Sequence, residues 1–293
     1  MNTFELSRRA LLESALALPL VKSTKPMTEE SPSGRLYTGL PGFDYASGGI
    51  GPGKVVCVSG PPSTGKTLLL LDLAARISTR YVAKVLFYSA QKPSVYLAKK
   101  AALKGGISIR FWEDGGTRDT GSAVYLFDSS TTDSEHVIET AVRLQGERAK
   151  PGTVLIMDGW SSYAQRTNQI EIIDGIPAYP AERWPHTLLS WERIGRLKEL
   201  AHMTRLPIVL GVTTASLMDD EALAKSSHHE SEIRRHADQW VNLHRPALYK
   251  GSAEVQPDER NVVELAGTSP AWWDTRCSKL RLDARDISYG TVI

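Results

Sequence analysis

The run Gly60-Pro61-Pro62-Ser63-Thr64-Gly65-Lys66-Thr67 restricts this chain more than any other feature. It fits G-x-x-x-x-G-K-[ST] at every defined position. An apolar stretch, Val55-Val56-Cys57-Val58, precedes it and reads as a buried strand. A helical segment, Leu68 to Ile77, follows it. Gly60 and Gly65 allow backbone angles and close approaches that a Cβ blocks. Backbone N–H groups along the loop then face inward as a nest for phosphate oxygens. The positive end of the helix that starts near Lys66 adds to that field. Lys66 supplies an ammonium for the β and γ phosphates, and Thr67 a hydroxyl ligand for Mg2+. The expected ligand is ATP with Mg2+, cradled by Gly60, Pro61, Pro62, Ser63, Thr64, Gly65, Lys66 and Thr67.

The rest of the chain continues the strand–helix alternation. Apolar runs at 85–88, 123–127, 154–157 and 208–212 read as strands. Helical patterns at 93–104, 134–148 and 188–203 separate most of them. Alternation of this kind implies crossover connections and a mainly parallel sheet. Near-continuous apolar strands agree, because parallel strands are covered on both faces. The C-terminal third changes character. Segments 239–243, 261–265 and 277–282 look like short strands, antiparallel at one edge. The fold class expected is α/β, a mainly parallel twisted sheet flanked by helices with short antiparallel strands at the C-terminal edge.

Residues 1–35 stand apart as an N-terminal helix and linker, and 36–293 as the main domain. Segment 4–18 has apolar residues at helical spacing, and Pro19 ends it. Such a helix could dock on a neighbouring subunit. Ser7-Arg8-Arg9 resembles a twin-arginine export signal, but Glu13 interrupts the short apolar segment behind it. Segment 21–35 is polar and reads as a linker. No stretch approaches the roughly 20 apolar residues of a membrane span. The two cysteines, Cys57 and Cys277, have neither zinc spacing nor a disulfide framework, which fits a reduced, cytoplasmic compartment. A net charge of +2 gives no global basic field, so contact with nucleic acid would need local patches.

A second chemical position follows from Val154-Leu155-Ile156-Met157-Asp158. A carboxylate at the C-terminal end of a parallel strand faces the same crevice as the phosphate loop. Asp158 would hold Mg2+ through a water. An isolated strand-terminal Asp more often caps the next turn, and the phosphate loop selects the metal-side reading.

With these residues in hand, the sequence resembles the RecA-like P-loop NTPases, especially the DnaB-type helicase domain and its KaiC and RadA relatives. Thr38-Gly39-Leu40-Pro41-Gly42-Phe43-Asp44, then Gly48-Gly49-Ile50 and Pro52-Gly53, is similar to the family's lead-in to the first strand. Leu86-Phe87-Tyr88-Ser89-Ala90-Gln91 stands where the family has F-x-S-x-E. Arg196-Leu197-Lys198-Glu199-Leu200-Ala201 with Leu206-Pro207-Ile208-Val209 resembles the helix and strand that come next. Ile233-Arg234-Arg235-His236-Ala237-Asp238 is similar to the I-x-x-x-A-D run before a further strand. The resemblance spans about 36–285. It implies a RecA-like core, catalytic roles for Lys66, Gln91 and Asp158, and Mg2+ at Thr67 and Asp158. It also implies a homo-oligomeric ring or filament with ATP between subunits.

The departures bear on chemistry. The family's glutamate polarises the attacking water, and here Gln91 holds that place. An amide orients water by hydrogen bonds but is no carboxylate base. Glu113, Asp114 and Asp128 are other carboxylates near strand ends, more in keeping with solvated loops. The family's late hairpin carries a Lys/Arg pair that reaches the neighbour's site, whereas 265–270 has no cation. Arg276, Lys279 and Arg281 lie nearby. Loss of a trans cation removes on the order of 10³-fold in comparable phosphoryl transfers. Strong ATP binding with weak hydrolysis is the expectation. Thr213 and Thr214 stand where helicases often place a sensing Gln, and either could touch the γ-phosphate.

Loops 159–187 and 214–232 occupy the places that face DNA in RecA-like rings. The first interleaves Trp160, Tyr163, Arg166, Tyr179, Arg183, Trp184 and His186, a composition suited to single-stranded DNA. The second carries Lys225, His228 and His229 but also Asp219, Asp220 and Glu221. The two histidines lack a third metal ligand at suitable spacing. Trp272 and Trp273 read as packing or interface anchors. Two functions stay open: a DNA-associated ATPase in replication or recombination, and a KaiC-type scaffold with protein partners. A small-molecule kinase fits less well, because no arginine-rich lid is present.

Overall fold

The computed structural model describes residues 34–90, 92–102, 108–112, 123–128, 132, 134–146, 152–161, 172–173, 176–177, 191–214, 237–248, 260–268, 276–283 and 288–291. The N-terminal segment expected to be helical, 4–18, lies outside them. The elements begin with α1 (Pro41–Ser47), β1 (Val55–Gly60), α2 (Lys66–Tyr81), β2 (Lys84–Ser89), α3 (Ser94–Ala102), β3 (Ile109–Phe111) and β4 (Ala123–Phe127). They continue with α4 (Ser134–Gly146), β5 (Thr153–Ser161), β6 (Ile172–Ile173), β7 (Ile176–Pro177), α5 (Trp191–Thr204) and β8 (Ile208–Thr213). The last are β9 (Gln239–His244), β10 (Val262–Thr268), β11 (Arg276–Asp283) and β12 (Ser288–Thr291).

One sheet runs in the order β12-β11-β10-β9-β1-β8-β5-β2-β4-β3. Every pairing from β9 through β3 is parallel. The pairings of β9 with β10, β10 with β11 and β11 with β12 are antiparallel. The antiparallel C-terminal edge expected from sequence is therefore present, and β9 joins it to the parallel part. Segment 239–243 belongs to β9, which is parallel to β1 on one side and antiparallel to β10 on the other. Asp238 shows why. Its carboxylate accepts the Val55 N–H at 3.0 Å and the Lys54 ammonium at 3.1 Å, so β9 and β1 begin at the same end.

Helices cover both faces of the parallel part. Val56, Val58, Val85, Phe87, Val154 and Ile156 face α1, α2 and α3, where they meet Phe43, Leu69, Leu73 and Leu97. Val55, Cys57, Leu86, Leu155 and Met157 face the other way, toward Val137 and Ala141 of α4 and Leu197 and Ala201 of α5. Alternate side chains of each strand thus enter different cores, and both must be apolar.

The lead-in to β1 is a closed loop. The Asp44 carboxylate accepts the Thr38 N–H at 2.8 Å, the Thr38 hydroxyl at 2.9 Å and the Gly39 N–H at 2.9 Å. Thr-Gly followed by Asp at this spacing is a hydrogen-bonded clasp, which pins α1 on the sheet. Asp44 is nonetheless held above the usual carboxylate range, because burial outweighs these bonds.

Candidate functional site

β1 ends at the centre of the sheet, between β9 and β8, and hands the chain to the loop 60–65. The loop turns under tight steric limits. A β carbon on Gly60 would lie 2.7 Å from the Leu243 carbonyl oxygen. Gly65 caps α2 at φ 96°, a left-handed conformation that favours glycine. Ser63 takes φ 64° without being glycine. The buried Thr64 hydroxyl donates to the Pro61 carbonyl at 2.9 Å and ties the loop across itself. Pro62 and Ser63 are exposed.

The Lys66 side chain folds back into this loop. Its ammonium donates to the carbonyls of Gly60 and Pro61, both at 2.7 Å, and the residue is 7% exposed. Burial lowers its pKa to about 8, although the Asp158 charge acts the other way. The Thr214 N–H donates to the same Gly60 carbonyl at 3.1 Å, so β8 and β1 meet at the loop's root.

Asp158 supplies the carboxylate. The Thr67 hydroxyl donates to its Oδ2 at 2.8 Å, and the Ser89 hydroxyl to the same oxygen at 3.1 Å. Asp158 is 2% exposed. Burial pushes its carboxyl above the usual range, against the hydrogen bonds from Thr67 and Ser89 and the Lys66 charge. The sequence reading that β5 stops at Asp158 is corrected here. β5 runs on to Ser161 and is irregular between Met157 and Trp160. Met157 pairs with Leu210 and Trp160 with Val212, so β5 carries one extra residue there. A bulge of this kind re-aims a side chain without ending the strand.

The structure therefore gathers Gly60 through Thr67 and Asp158 into one place. Thr213 and Thr214 close the β8 side. Gln91 lies outside the described residues, but its neighbours flank the carboxylate. The Ala90 N–H donates to the Asp158 carbonyl at 3.0 Å, and the Lys92 N–H to the Ser89 hydroxyl at 3.1 Å. Asp128 follows β4, which β2 separates from β5, so it does not join the cluster. Glu113, Asp114, His228, His229, Trp272, Trp273 and the aromatic and basic side chains of 160–186 lie outside the described residues. On β11, the Lys279 ammonium meets Glu264 at 3.1 Å, and the Arg276 guanidinium sits 5.9 Å from the Tyr45 ring centre.

Three participants went unassigned from the sequence. Ser89 lies in the run Leu86-Phe87-Tyr88-Ser89-Ala90-Gln91, whose pattern gives it no role. Gly211 interrupts the apolar β8, and a lone glycine in a strand is a signal of close approach. A β carbon there would lie 2.6 Å from Leu70 Cδ1 and 2.8 Å from Asp158 Oδ1. Tyr289 has no sequence signal at all. Its hydroxyl donates to the Gly65 carbonyl at 3.3 Å.

Among the described residues, no helix is long and apolar enough to cross a membrane. No protein-family model matches the chain, and no curated protein matches it by sequence. Solved structures match it in fold. One of them, an ATPase domain, has a TM-score of 0.60 at 14% identity, with 100% of both chains covered. A DnaB-like replicative helicase, from a structure that addresses its interactions with primase, has a TM-score of 0.56 at 15% identity. That match covers 100% of this chain and 67% of the helicase chain. The fold of this chain is RecA-like, a large and mostly parallel sheet flanked by helices.

Proposed function

We propose that the chain is an ATP-binding, RecA-like ATPase that serves DNA replication or recombination, assembles with its own copies when nucleotide is bound, and engages single-stranded DNA. One observation carries the nucleotide half. The Lys66 ammonium, the Thr67 hydroxyl and the Asp158 carboxylate converge where β1 and β5 deliver them. Lys66 is bonded to two neutral carbonyls, and a phosphate oxygen would exchange them for a charged acceptor. The donor set fits Mg2+, since hydroxyl and carboxylate oxygens are hard ligands. A buried carboxyl that resists ionisation gains most from a cation beside it. Thr67 and Asp158 would hold the ion, and nucleotide and water would complete its shell. Bound there, Mg2+ would neutralise charge on the β and γ phosphates. Gln91 would orient the attacking water without removing its proton, so turnover is slow.

The DNA half is supported by the fold neighbours, one of which is a replicative helicase studied with primase. The mixed aromatic and basic composition of 160–186 supports it too. A second reading, a KaiC-type nucleotide-gated scaffold, is favoured by the hairpin. There Lys279 and Arg276 are engaged within their own chain by Glu264 and Tyr45.

The test is a titration of purified protein with Mg-ATP, then with single-stranded DNA plus a non-hydrolysable ATP analogue at two salt concentrations. Nucleotide-dependent, salt-sensitive DNA binding is expected. ATP binding with no DNA binding at low salt transfers the function to the scaffold reading. Absence of Mg-ATP binding overturns both.

A further inference from the structure

β12 lies four places from β1 in the strand order, yet its Tyr289 is buried against α2, the helix that follows β1. Three polar groups of Tyr289 bond to that helix. Its N–H donates to Asp72 Oδ2 at 2.9 Å, and its carbonyl accepts Arg76 Nη2 at 2.9 Å. Arg76 Nε in turn donates to Asp72 Oδ1 at 2.9 Å. The hydroxyl reaches the Gly65 carbonyl, which also accepts the first helical bond from the Leu69 N–H at 2.9 Å. A phenylalanine would fill nearly the same volume. A hydroxyl in a core costs free energy unless it is bonded, so the bond to Gly65 accounts for tyrosine here. A β carbon on Gly65 would collide with this hydroxyl, a reason for glycine beyond its backbone angle.

We propose that Tyr289 is a positioning residue that presets the N–H groups at the end of the phosphate loop, an inference that rests on the nucleotide-binding reading above. The peptide between Gly65 and Lys66 is planar and trans, so its carbonyl and N–H point in opposite directions. Holding the Gly65 oxygen from the β12 side therefore fixes where the Lys66 N–H points. The same bond polarises the peptide and strengthens that N–H as a donor. Burial holds the Tyr289 hydroxyl above its ordinary pKa, so it remains a donor across the neutral range. The Asp72–Arg76 pair keeps the tyrosine in register with α2. Thus the antiparallel edge acts on the site from behind the loop, and the nucleotide never has to touch it.

The experiment compares wild type with Tyr289→Phe by calorimetric titration, with Mg-ATP and with inorganic tripolyphosphate as probes. Tripolyphosphate reads the loop alone, free of base and sugar. Both affinities are expected to fall about fivefold, the scale of one neutral hydrogen bond. Melting of the unliganded variant should stay within a few degrees of wild type, which separates positioning from packing. Amide exchange at Lys66 should quicken in the variant. Equal affinities in wild type and variant overturn the positioning role and leave nucleotide binding standing. Should Tyr289→Phe fail to fold, Asp72→Asn keeps the hydroxyl while loosening its anchor. A roughly threefold loss of tripolyphosphate affinity is expected from it, and no loss overturns the role. Wild type that binds neither probe overturns the nucleotide-binding reading itself.

Discussion

The parallel centre of the sheet and its antiparallel C-terminal edge obey different rules. β1 and β2 are buried at every position, whereas β10 alternates half-buried and buried residues along its whole length. The centre has helices on both faces, so its strands are apolar throughout and polar chemistry is pushed to their C-terminal ends. The edge has one covered face and accommodates Glu264 and Lys279 on the other. The comparison teaches where tolerance lies. Small changes in the centre displace site atoms directly, while changes at the edge matter where it packs on a helix, as Gly267 does against the Ala46 backbone of α1 and Tyr289 against α2.

The largest expected effect tests the centre. Lys66→Ala should weaken Mg-ATP binding on the order of a hundredfold, the range for a buried charged partner. Calorimetric titration measures it, and an unchanged affinity would remove the centre's claim to be the site.

Next comes a matched pair of glycines. Gly211→Ala places a methyl group against Leu70 and the Asp158 carboxylate. It should destabilise the fold by about 1–3 kcal/mol, as overpacking does. Gly290→Ala on β12 meets nothing within 4 Å and should stay within about 0.5 kcal/mol of wild type. Denaturant melts of both variants, read at one temperature, check the contrast. Equal losses would erase the distinction between the two regions.

A pH series sharpens the electrostatics of the centre. In the free protein the Lys66 pKa is lowered to about 8. Bound phosphate favours the ammonium and raises that pKa, so binding takes up a proton above pH 8. Full affinity is present below pH 8 and is lost as the pH rises beyond it. Between pH 7 and pH 9 the loss is about tenfold. Titrations across that range should show it, and in Lys66→Ala the dependence should vanish.

The smallest effect belongs to the edge. Lys279 and Glu264 are 58% and 39% exposed, and such surface pairs are worth about 0–1 kcal/mol. Lys279→Ala should leave both stability and ATP turnover nearly unchanged. A drop in turnover on the order of 10³-fold would instead identify Lys279 as the cation delivered to a neighbouring subunit.

Much of the centre was legible beforehand, because its signals are local. The loop motif, the five apolar runs and the helices between them all depend on residues adjacent in sequence. α1 was missed because Pro41–Ser47 is only seven residues, too short for its helical spacing to repeat, and β12 because Ser288–Thr291 has no apolar run. The parallel pairing of β9 with β1 was not legible, because strand direction depends on which end Asp238 binds, a contact with Lys54 and Val55 across the sheet.

By itself, the sequence determined that the chain has a glycine-rich G-x-x-x-x-G-K-[ST] loop between a strand and a helix, and that alternating apolar strands and helices build a parallel sheet. Both follow from short-range constraints: backbone angles permitted by glycine, and periodicity of apolar side chains. Only the tertiary structure decided that β5 bulges at Asp158, that Gly211 leaves room for its carboxylate, and that Tyr289 stands behind Gly65. These contacts join residues separated by as many as 224 positions, and their selection rests on packing that no local pattern encodes.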